Sequence, residues 1–600
     1  MRGCLKWMKI LFLQFSATGG ILLLDEFIKR LKMKKRKPEN SIPFRLFTMI
    51  SVLVSVLAIM HQQEWPLITI PAVLITAAGY YVSYVRRDKK NTLIKVGIAL
   101  LMMLALLDFF RNLRANPFDP RAPLATLLIW LQAFHSFDLP SRHDLNYSLL
   151  VALILMAVAS VMAIDSTIIA YYIAFIFACS AALVYQGLSR FNEIAEKNEE
   201  LEINFVLKKM VTVTLLVIIA SMTVYLFIPR YHNFDSPILP RSWVVNLPKI
   251  STGGLFNPNN DMSAEEMRNT RGRDLGWNPN NYFGFSPYVH LNYRGKLSDT
   301  EIMKVQSSSW SYYRGLVFDN YDGTGWSITG EENGEFEEIS KTLPPLKIEP
   351  DDKILEKWDE TEEIVQIYHV KREMPNIIFG SYQTISLFFP SNTIYLDKNG
   401  GIRSPYPLEK GMIYSTISHK IPINSETMRA IEKEHQRLSE LKQNGIVEMV
   451  DEKDMKYLQL PENVPGRVDS LTRTIIRETV GEDASDYRKA LAVSQYLKDT
   501  YPYDLEIPYF PDDCDTVDYF LFEQRRGYCE HFATSLAIML RTQGIPARMV
   551  FGYLPGHYDV FSRLYSVKQS DAHSWVEAYV PGYGWMSFDP TPGYSGETFS

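Results

Sequence analysis

Cys529 is the residue of this 600-residue chain best placed to act as a nucleophile. It lies in "RRGYCEHFATSLAIMLRTQGIPARMVFGY", where apolar residues recur with a helical period until Gly544, a residue typical of a helix C-terminus. Cys529 is therefore predicted to lie in the first turn, where unpaired backbone amides and the helix dipole favour a thiolate. The neighbours Tyr528, Glu530 and His531 argue against an inert core cysteine.

A thiolate acts as a catalyst only with a general base, and the base needs a group that orients it. His531 is unsuitable, because two positions along a helix turn its side chain about 200° away from Cys529. The segment "LYSVKQSDAHSWVEAYVPGYGWMSFDPTP" instead predicts a hairpin, with His573 on one strand and Asp589 near the end of the next. A three- or five-residue loop puts both side chains on one face, whereas a four-residue loop puts them on opposite faces. Gly582 and Gly584 in "PGYGW" permit an odd, bulged loop without requiring it.

These segments resemble the transglutaminase-like superfamily. The resemblance rests on "GYCEHFA", "LRTQGIPARMVFGY", "DAHSWVEAYVPGYGW" and "FDPTP", and "SWSYYRGLVFDNYDGTGWSI" extends it to the bacterial branch with N-terminal membrane spans. It implies a papain-like α+β core in which Cys529 is the nucleophile, His573 the general base and acid, and Asp589 the orienting group. Members of that branch usually add a C-terminal span and a cytoplasmic tail, whereas this chain ends at Ser600, so we expect a truncated chain or a shorter variant.

Further residues are assigned to substrate binding. The backbone N–H of Cys529, at a helix start, is the expected first oxyanion donor. The superfamily often uses an aromatic side chain upstream of the cysteine as a second donor, and Tyr503 is the candidate. Tyr528 and Trp575 are the other substrate-binding candidates, although core packing is the favoured interpretation for Trp575 and for Trp585. No cofactor and no metal ion are expected.

The first 230 residues are predicted to form a helical membrane bundle, because their apolar runs approach the length needed to span a bilayer. The opening stretch is either an extra hydrophobic segment or a leader upstream of a start at Met33. The 122–140 run carries His135 and Asp138 and is alternatively interfacial. The predicted spans are 43–61, 66–85, 93–110, 122–140, 146–164, 166–188 and 209–229.

Basic loops predict the orientation of this bundle. "KMKKRK" at 32–37 precedes the first span, and "RRDKK" at 86–90 and the basic loop at 190–209 fall on the same side, which should be cytoplasmic. An odd number of spans then exports everything after Tyr231. The protein is accordingly expected in the cell membrane, with its catalytic part outside the cytoplasm.

The period of the sequence changes twice after the membrane region. Short alternating runs give way near residue 424 to helical patterns such as "NSETMRAIEKEHQRLSELKQ". The predicted organisation is an N-terminal cytoplasmic segment, a transmembrane helical domain, a linker, a β-rich exported domain and a transglutaminase-like catalytic domain, at 1–41, 42–230, 231–295, 296–423 and 424–600.

Composition and spacing weigh against other functions. A net charge of −6 lacks the basic excess that a nucleic-acid partner would need. Zinc binding by Cys514, Cys529, His531 and His573 lacks a CxxC or HExxH spacing, and a Cys514–Cys529 disulfide would silence the nucleophile. Transport is disfavoured because the intramembrane charges lie near span ends.

The sequence therefore predicts a membrane-anchored thiol enzyme that transfers an acyl group from an amide or peptide bond. The acceptor is either water, as in a protease or amidase, or an amine, as in crosslinking. The expected partners are the lipid bilayer and a peptide or protein outside the cytoplasm, including cell-wall peptides. The alternative is a peptide-binding or scaffolding membrane protein that uses the same fold without turnover.

Overall fold

A computed structural model of the chain divides into two compact units, one within the first 229 residues and one formed by residues 230–600. Most of the predicted segment 1–41, most of the seventh span 209–229 and most of the linker 231–295 lie outside the described residues. The described residues are 38–63, 66–89, 91–115, 121–163, 167–194, 208, 211–212, 215–216, 240, 242, 254–257, 285–292, 297–331, 333–341, 344–349, 361–443, 452–461, 465–511, 514–560 and 562–593.

The described part of the first unit is helical, as predicted. Buried polar side chains link its helices: the Ser55 hydroxyl donates to the carbonyl of Ala152 at 2.9 Å, and the Gln132 amide donates to Ser148 at 3.0 Å. Such interhelical hydrogen bonds are typical of helices that pack within a bilayer. The helices are α1 (Ile42–Gln63), α2 (Pro66–Val85), α3 (Thr92–Ala115), α4 (Arg121–His135), α5 (Arg142–Val161) and α6 (Ile168–Ile194).

Within the described residues, four helices are long and apolar enough to cross a membrane: Ile42–His61, Thr92–Arg114, Arg142–Val161 and Ile168–Ser189.

The two other helices are shorter or interrupted. Among the residues whose side chains are described, the apolar stretch of α2 is Ile70–Val85, and Pro71 lies inside this helix. The predicted 122–140 span forms the 15-residue helix α4, which ends at His135. At about 1.5 Å per residue, α4 is shorter than a hydrocarbon core of about 30 Å. The described helices therefore do not by themselves reach the predicted number of seven spans.

The second unit is rich in β-structure up to residue 420 and mixed afterwards, as the change of period predicted. Its first part contains β1 (Tyr288–His290), β2 (Glu301–Ser307), β3 (Tyr313–Phe318), β4 (Asn320–Tyr321), β5 (Gly325–Ser327), β6 (Glu337–Ser340), β7 (Leu346–Lys347), β8 (Glu362–Val370), β9 (Thr384–Phe388), β10 (Thr393–Leu396), β11 (Ile402–Arg403) and β12 (Ile413–Lys420).

Helices and a second set of strands follow. The elements are α7 (Ser425–Gln443), α8 (Gly466–Thr479), α9 (Asp486–Thr500), α10 (Thr516–Tyr519), α11 (Cys529–Thr542), β13 (Ala547–Tyr553), β14 (His557–Asp559), β15 (Leu564–Lys568), β16 (Ala572–Val580) and β17 (Gly584–Phe588).

A four-stranded antiparallel sheet of order β17-β16-β13-β3 carries the predicted hairpin. Every residue of β13 is buried, so this strand needs a partner on each edge. Strand β16 covers one edge and β3 covers the other, with Val317 opposite Val550. Strand β15 likewise pairs with β2 inside a seven-stranded sheet. Strands from both sides of the predicted boundary at 423/424 therefore share two sheets.

Helix α11 packs against β16 and β13 of this sheet. All its side chains from Cys529 to Arg541 are buried, and the apolar ones join a single hydrophobic core that extends from Phe285 to Phe588. This burial holds the first turn of α11, which contains Cys529, in a fixed position relative to the sheet. The papain-like arrangement expected from the resemblance, a helix on an antiparallel sheet, is present.

Candidate active site

Cys529 is the first residue of α11, as predicted, and its side chain is completely buried. Tyr528 caps the helix in an extended conformation, with φ −115° and ψ 177°. The Cys529 thiol donates a hydrogen bond to Glu530 Oε2 at 3.1 Å. The nucleophile candidate therefore lies at the positive end of a helix, with a carboxylate as well as an imidazole near its sulfur.

The predicted hairpin is formed by β16 and β17, which pair from Val576↔Phe588 to Val580↔Gly584. Three residues, 581–583, connect the strands, so the loop is odd and the predicted loop geometry is confirmed. Gly582 and Gly584 both have a positive φ, near +80° and +76°, which other residues rarely adopt. Because the side-chain period of a strand is two, this loop puts His573 and Asp589 on the same face.

His573 and Asp589 are in contact and are both buried. His573 Nε2 lies 2.9 Å from Asp589 Oδ2, which leaves Nδ1 for the side of the ring that hydrogen-bonds Cys529. The other carboxylate oxygen, Oδ1, accepts the backbone N–H of Thr591 at 3.0 Å. The structure thus brings together the thiol, the imidazole and the carboxylate that the sequence singled out.

The charges of this buried group depend on one another. Burial by itself lowers the pKa of His573, but the Asp589 carboxylate and the Cys529 side chain raise it to about 10. Burial raises the pKa of Asp589, but His573, the N–H of Thr591 and the Tyr312 hydroxyl hold it below its usual range. At neutral pH the pair is therefore an imidazolium and a carboxylate.

This ion pair makes the stability of the fold depend on pH in a defined direction. The folded pKa of His573 is about 10 and its ordinary value is 6.5, so its charge stabilises the fold fully below pH 6.5 and this contribution is lost toward pH 10. Compared with the wild type, His573→Gln is expected to lower the melting temperature of the detergent-solubilised chain most near pH 6 and least near pH 10. An equal loss at every pH would contradict this assignment. The control is His557→Gln on the exposed strand β14. Its melting temperature should differ from that of the wild type by the same small amount at each pH.

Tyr312 completes the group, and sequence reasoning missed it as a site residue. Its hydroxyl donates to Asp589 Oδ2 at 2.8 Å, and its ring stacks on Trp575 with centroids 4.8 Å apart. The residue lies in "SWSYYRG", one of the segments that carry the family resemblance, but no local pattern distinguishes it from the neighbouring Tyr313.

The three substrate-binding candidates occupy different positions. The Tyr503 backbone forms a bridge with Gly527, two residues before Cys529, and its ring faces Phe532 with centroids 6.5 Å apart. The Tyr528 hydroxyl donates to the carbonyl of Leu291 at 2.7 Å. Trp575 is buried beneath Tyr312. Tyr503 is thus the only one of the three that is partly exposed, whereas Tyr528 and Trp575 are buried.

Two rival residues take no part in the contact with Asp589. The His531 ring lies among Phe510, Phe520 and Tyr528, and its Nδ1 accepts the backbone N–H of Tyr528 at 3.4 Å, as the helical rotation away from Cys529 predicts. Cys514 is a thiol and is not joined to Cys529 by a disulfide.

The face of β16 that carries His573 continues into a buried charge cluster at Glu577. Glu577 is fully buried and accepts hydrogen bonds from Arg314 Nε at 2.8 Å and from Arg548 Nε at 2.7 Å. Burial raises the pKa of Glu577, but the two guanidinium groups hold it below the ordinary 4.5. Both arginines line a cavity of about 520 Å³, together with Tyr457 and Trp585 among others.

Comparisons with known proteins agree with this arrangement. Residues 473–590 match the transglutaminase-like superfamily, and residues 47–423 match the TgpA N-terminal domain. An uncharacterized Bacillus subtilis protein, YebA, is 30% identical over 310 residues, which are 49% of this chain and 39% of that protein. A protein-glutamine gamma-glutamyltransferase of Pseudomonas aeruginosa is 41% identical over 102 residues, which are 17% of this chain and 15% of the relative. The chain thus matches less than half the length of either relative.

Among solved structures, the chain is similar to the crystal structure of the periplasmic domain of TgpA from Pseudomonas aeruginosa. The two share 22% sequence identity, with 51% of this chain and 93% of that chain covered and a TM-score of 0.34. A crystal structure of a putative cysteine protease from Cytophaga hutchinsonii is 16% identical, with 51% and 78% covered and a TM-score of 0.21.

Proposed function

This chain belongs to the family that carries the TgpA N-terminal domain, here joined to a transglutaminase-like core, and from that premise we propose that it is a thiol acyltransferase or amidase. Cys529, His573 and Asp589 would form its catalytic triad. The observation that carries the proposal is the connected set of contacts from the Cys529 thiol through His573 to Asp589. Each residue lies on the element that its role requires: a helix start, a strand and the end of the adjacent strand.

In the first half of the proposed reaction, the Cys529 thiol passes its proton to its hydrogen-bond acceptor Glu530 Oε2, and the resulting thiolate attacks the carbonyl carbon of an amide. A carbon–sulfur bond forms, and the carbonyl oxygen gains negative charge, which the backbone N–H of Cys529 at the helix start can stabilise by donating a hydrogen bond. The His573 imidazolium then gives its proton to the departing nitrogen, and the carbon–nitrogen bond breaks. An amine departs, or ammonia in the case of a primary carboxamide, and a thioester remains on the enzyme.

In the second half, an acceptor attacks the thioester. The neutral His573 takes a proton from water or from a primary amine, the carbon–sulfur bond breaks, and the thiolate and imidazolium are restored. Asp589 holds the His573 ring by its Nε2 atom, so that Nδ1 faces the sulfur. The Asp589 carboxylate also stabilises the imidazolium. Water as acceptor gives hydrolysis, and an amine gives a new amide.

The acyl donor we propose is the side-chain amide of glutamine in a peptide or protein. The Pseudomonas relative supports this choice, since that protein is a protein-glutamine gamma-glutamyltransferase. Peptide-bond hydrolysis by the same thiol is the second reaction that this chemistry allows. Both reactions proceed through a thioester on Cys529. They differ in the amide bond that is broken, and therefore in the acyl group that the thioester carries, or in the acceptor.

The test uses the full chain in detergent with glutamine-containing peptides, with and without a biotinylated primary amine, analysed by mass spectrometry. Transamidation is expected to replace the amide nitrogen with the amine, hydrolysis to convert glutamine to glutamate, and proteolysis to cut the peptide. Peptides matched to these with asparagine in place of glutamine are the control. Retention of peptides on the protein with no change of mass would favour the peptide-binding alternative.

We also propose that the catalytic part lies outside the cytoplasm, after seven spans. The four apolar helices, the basic loops of the sequence and the likeness to a periplasmic domain support this topology. A membrane-impermeant biotinylation reagent on intact cells is expected to label lysines on the surface of the second unit, such as Lys398. Labelling of these lysines only after lysis would reverse the orientation.

A further inference from the structure

Tyr312 contacts the same carboxylate oxygen that holds His573. Its hydroxyl lies 2.8 Å from Asp589 Oδ2, and His573 Nε2 lies 2.9 Å from that atom. Tyr312 precedes β3 and is separated from Asp589 by 277 positions, so the contact is made by the tertiary fold. One oxygen of Asp589 is therefore shared between the imidazole and a phenol from the opposite edge of the sheet.

The Tyr312 ring is held by other aromatic rings. It stacks on Trp575 at 4.8 Å with an interplanar angle of 21°, and its centroid lies 6.1 Å from that of His573 at 28°. Trp310 contacts the Tyr312 ring edge-on, with ring centroids 5.1 Å apart. A phenol ring enclosed in this way cannot swing out of its hydrogen bond without disturbing Trp575.

We propose that Tyr312 is a positioning residue of the Cys529–His573–Asp589 triad, which it serves by fixing the Asp589 carboxylate. The inference rests on the function proposed above and extends it to a residue of the sheet region that precedes the transglutaminase-like core. The phenol hydroxyl occupies one acceptor position of Oδ2 and the Thr591 N–H occupies Oδ1, so the position left on Oδ2 points at His573. Without the hydroxyl the carboxylate can rotate, and the orientation of the imidazole is lost with it.

The hydroxyl also favours the ionised form of Asp589, because a donor to a carboxylate stabilises the anion. The titratable groups that contact this carboxylate are His573 on β16 and Tyr312 before β3. Cys529 at the start of α11 contacts His573, and Glu530 contacts Cys529. Removing the Tyr312 hydroxyl removes one of the groups that hold Asp589 ionised. The acidic limb of any activity that needs this carboxylate is then expected to move to higher pH.

The test compares Tyr312→Phe with Tyr313→Phe in the full chain. Tyr313 is the adjacent, fully buried tyrosine, and its hydroxyl has no hydrogen-bond partner among the described residues. Two rates are followed against pH: turnover of the best glutamine peptide, and alkylation of Cys529 by iodoacetamide. Tyr312→Phe is expected to lower kcat about tenfold, since a hydrogen bond to a charged group is worth roughly that factor, with KM unchanged. Its acidic limb should move to higher pH, whereas Tyr313→Phe should match the wild type.

A second background tests whether Tyr312 acts through Asp589. In Asp589→Ala, adding Tyr312→Phe is expected to change the alkylation rate no further, because residues that act as a unit are not additive. Equal pH profiles for wild type and Tyr312→Phe, or additive losses in the double variant, would overturn the proposal. Alkylation needs no substrate, so a failure to find an amide substrate would count against the proposed function and leave this test intact.

Discussion

Replacing Cys529 with alanine is expected to reduce turnover by roughly 10⁴- to 10⁶-fold, because no other group can form the thioester and the members of such a triad act as a unit. The fold should persist, since alanine keeps the helix start and removes only one sulfur atom from the core. The measurements are peptide turnover by mass spectrometry and the melting temperature of the purified chain.

Cys514→Ala is the matched control for this experiment. Cys514 is a second thiol of the same unit, lies on a loop between α9 and α10, and should be dispensable for turnover. Activity that survives Cys529→Ala but not Cys514→Ala would show that the wrong thiol has been assigned. Activity that survives both substitutions would rule out Cys529 and Cys514 as the nucleophile.

Glu577→Gln is expected to destabilise the second unit by about 3–5 kcal/mol, the usual result when one partner of a buried ion pair loses its charge. The substitution leaves Arg314 and Arg548 buried with no anion between them. Because their charges hold the pKa of Glu577 below 4.5, its stabilising contribution is present at neutral pH and is lost only as the pH falls through that lowered value.

Thermal unfolding of wild type and variant between about pH 5 and pH 8 measures this effect, and the gap between them should stay nearly constant in that range. Arg473→Gln serves as the control, because it breaks a solvent-exposed pair with Asp469 and should cost less than about 1 kcal/mol. A loss for Glu577→Gln as small as that of the control would mean that the two arginines find other partners or water.

Local patterns were sufficient to predict the triad. The helix that begins at Cys529 follows from a single apolar period, and the hairpin follows from alternation around a glycine-containing loop. Both features depend on residues within a few positions of each other, where periodicity and turn chemistry are informative. The contact between His573 and Asp589 then follows from the parity of the loop.

The pairing of distant strands could not be predicted in the same way. Nothing in the sequence of β3 indicates that its partner is β13, and Tyr312 reaches the site only because those two strands pair. The change of period near residue 424 marks a change of element type and not a domain boundary. The four-stranded and the seven-stranded sheet each contain strands from before and after this residue. A fragment that begins at 424 would lack β3 and β2, so experiments on the catalytic part require the whole second unit.

The pairing of β3 with β13 also determines when activity can first arise during synthesis. Strand β3 leaves the ribosome long before its partner, and closing so long a loop is slow compared with forming local helices. Helix α11, which carries the cysteine, is synthesised before the hairpin that carries His573 and ends next to Asp589. A nascent chain therefore carries its thiol through synthesis as an ordinary cysteine. The proposed catalytic group is complete only when the last two strands, β16 and β17, have paired.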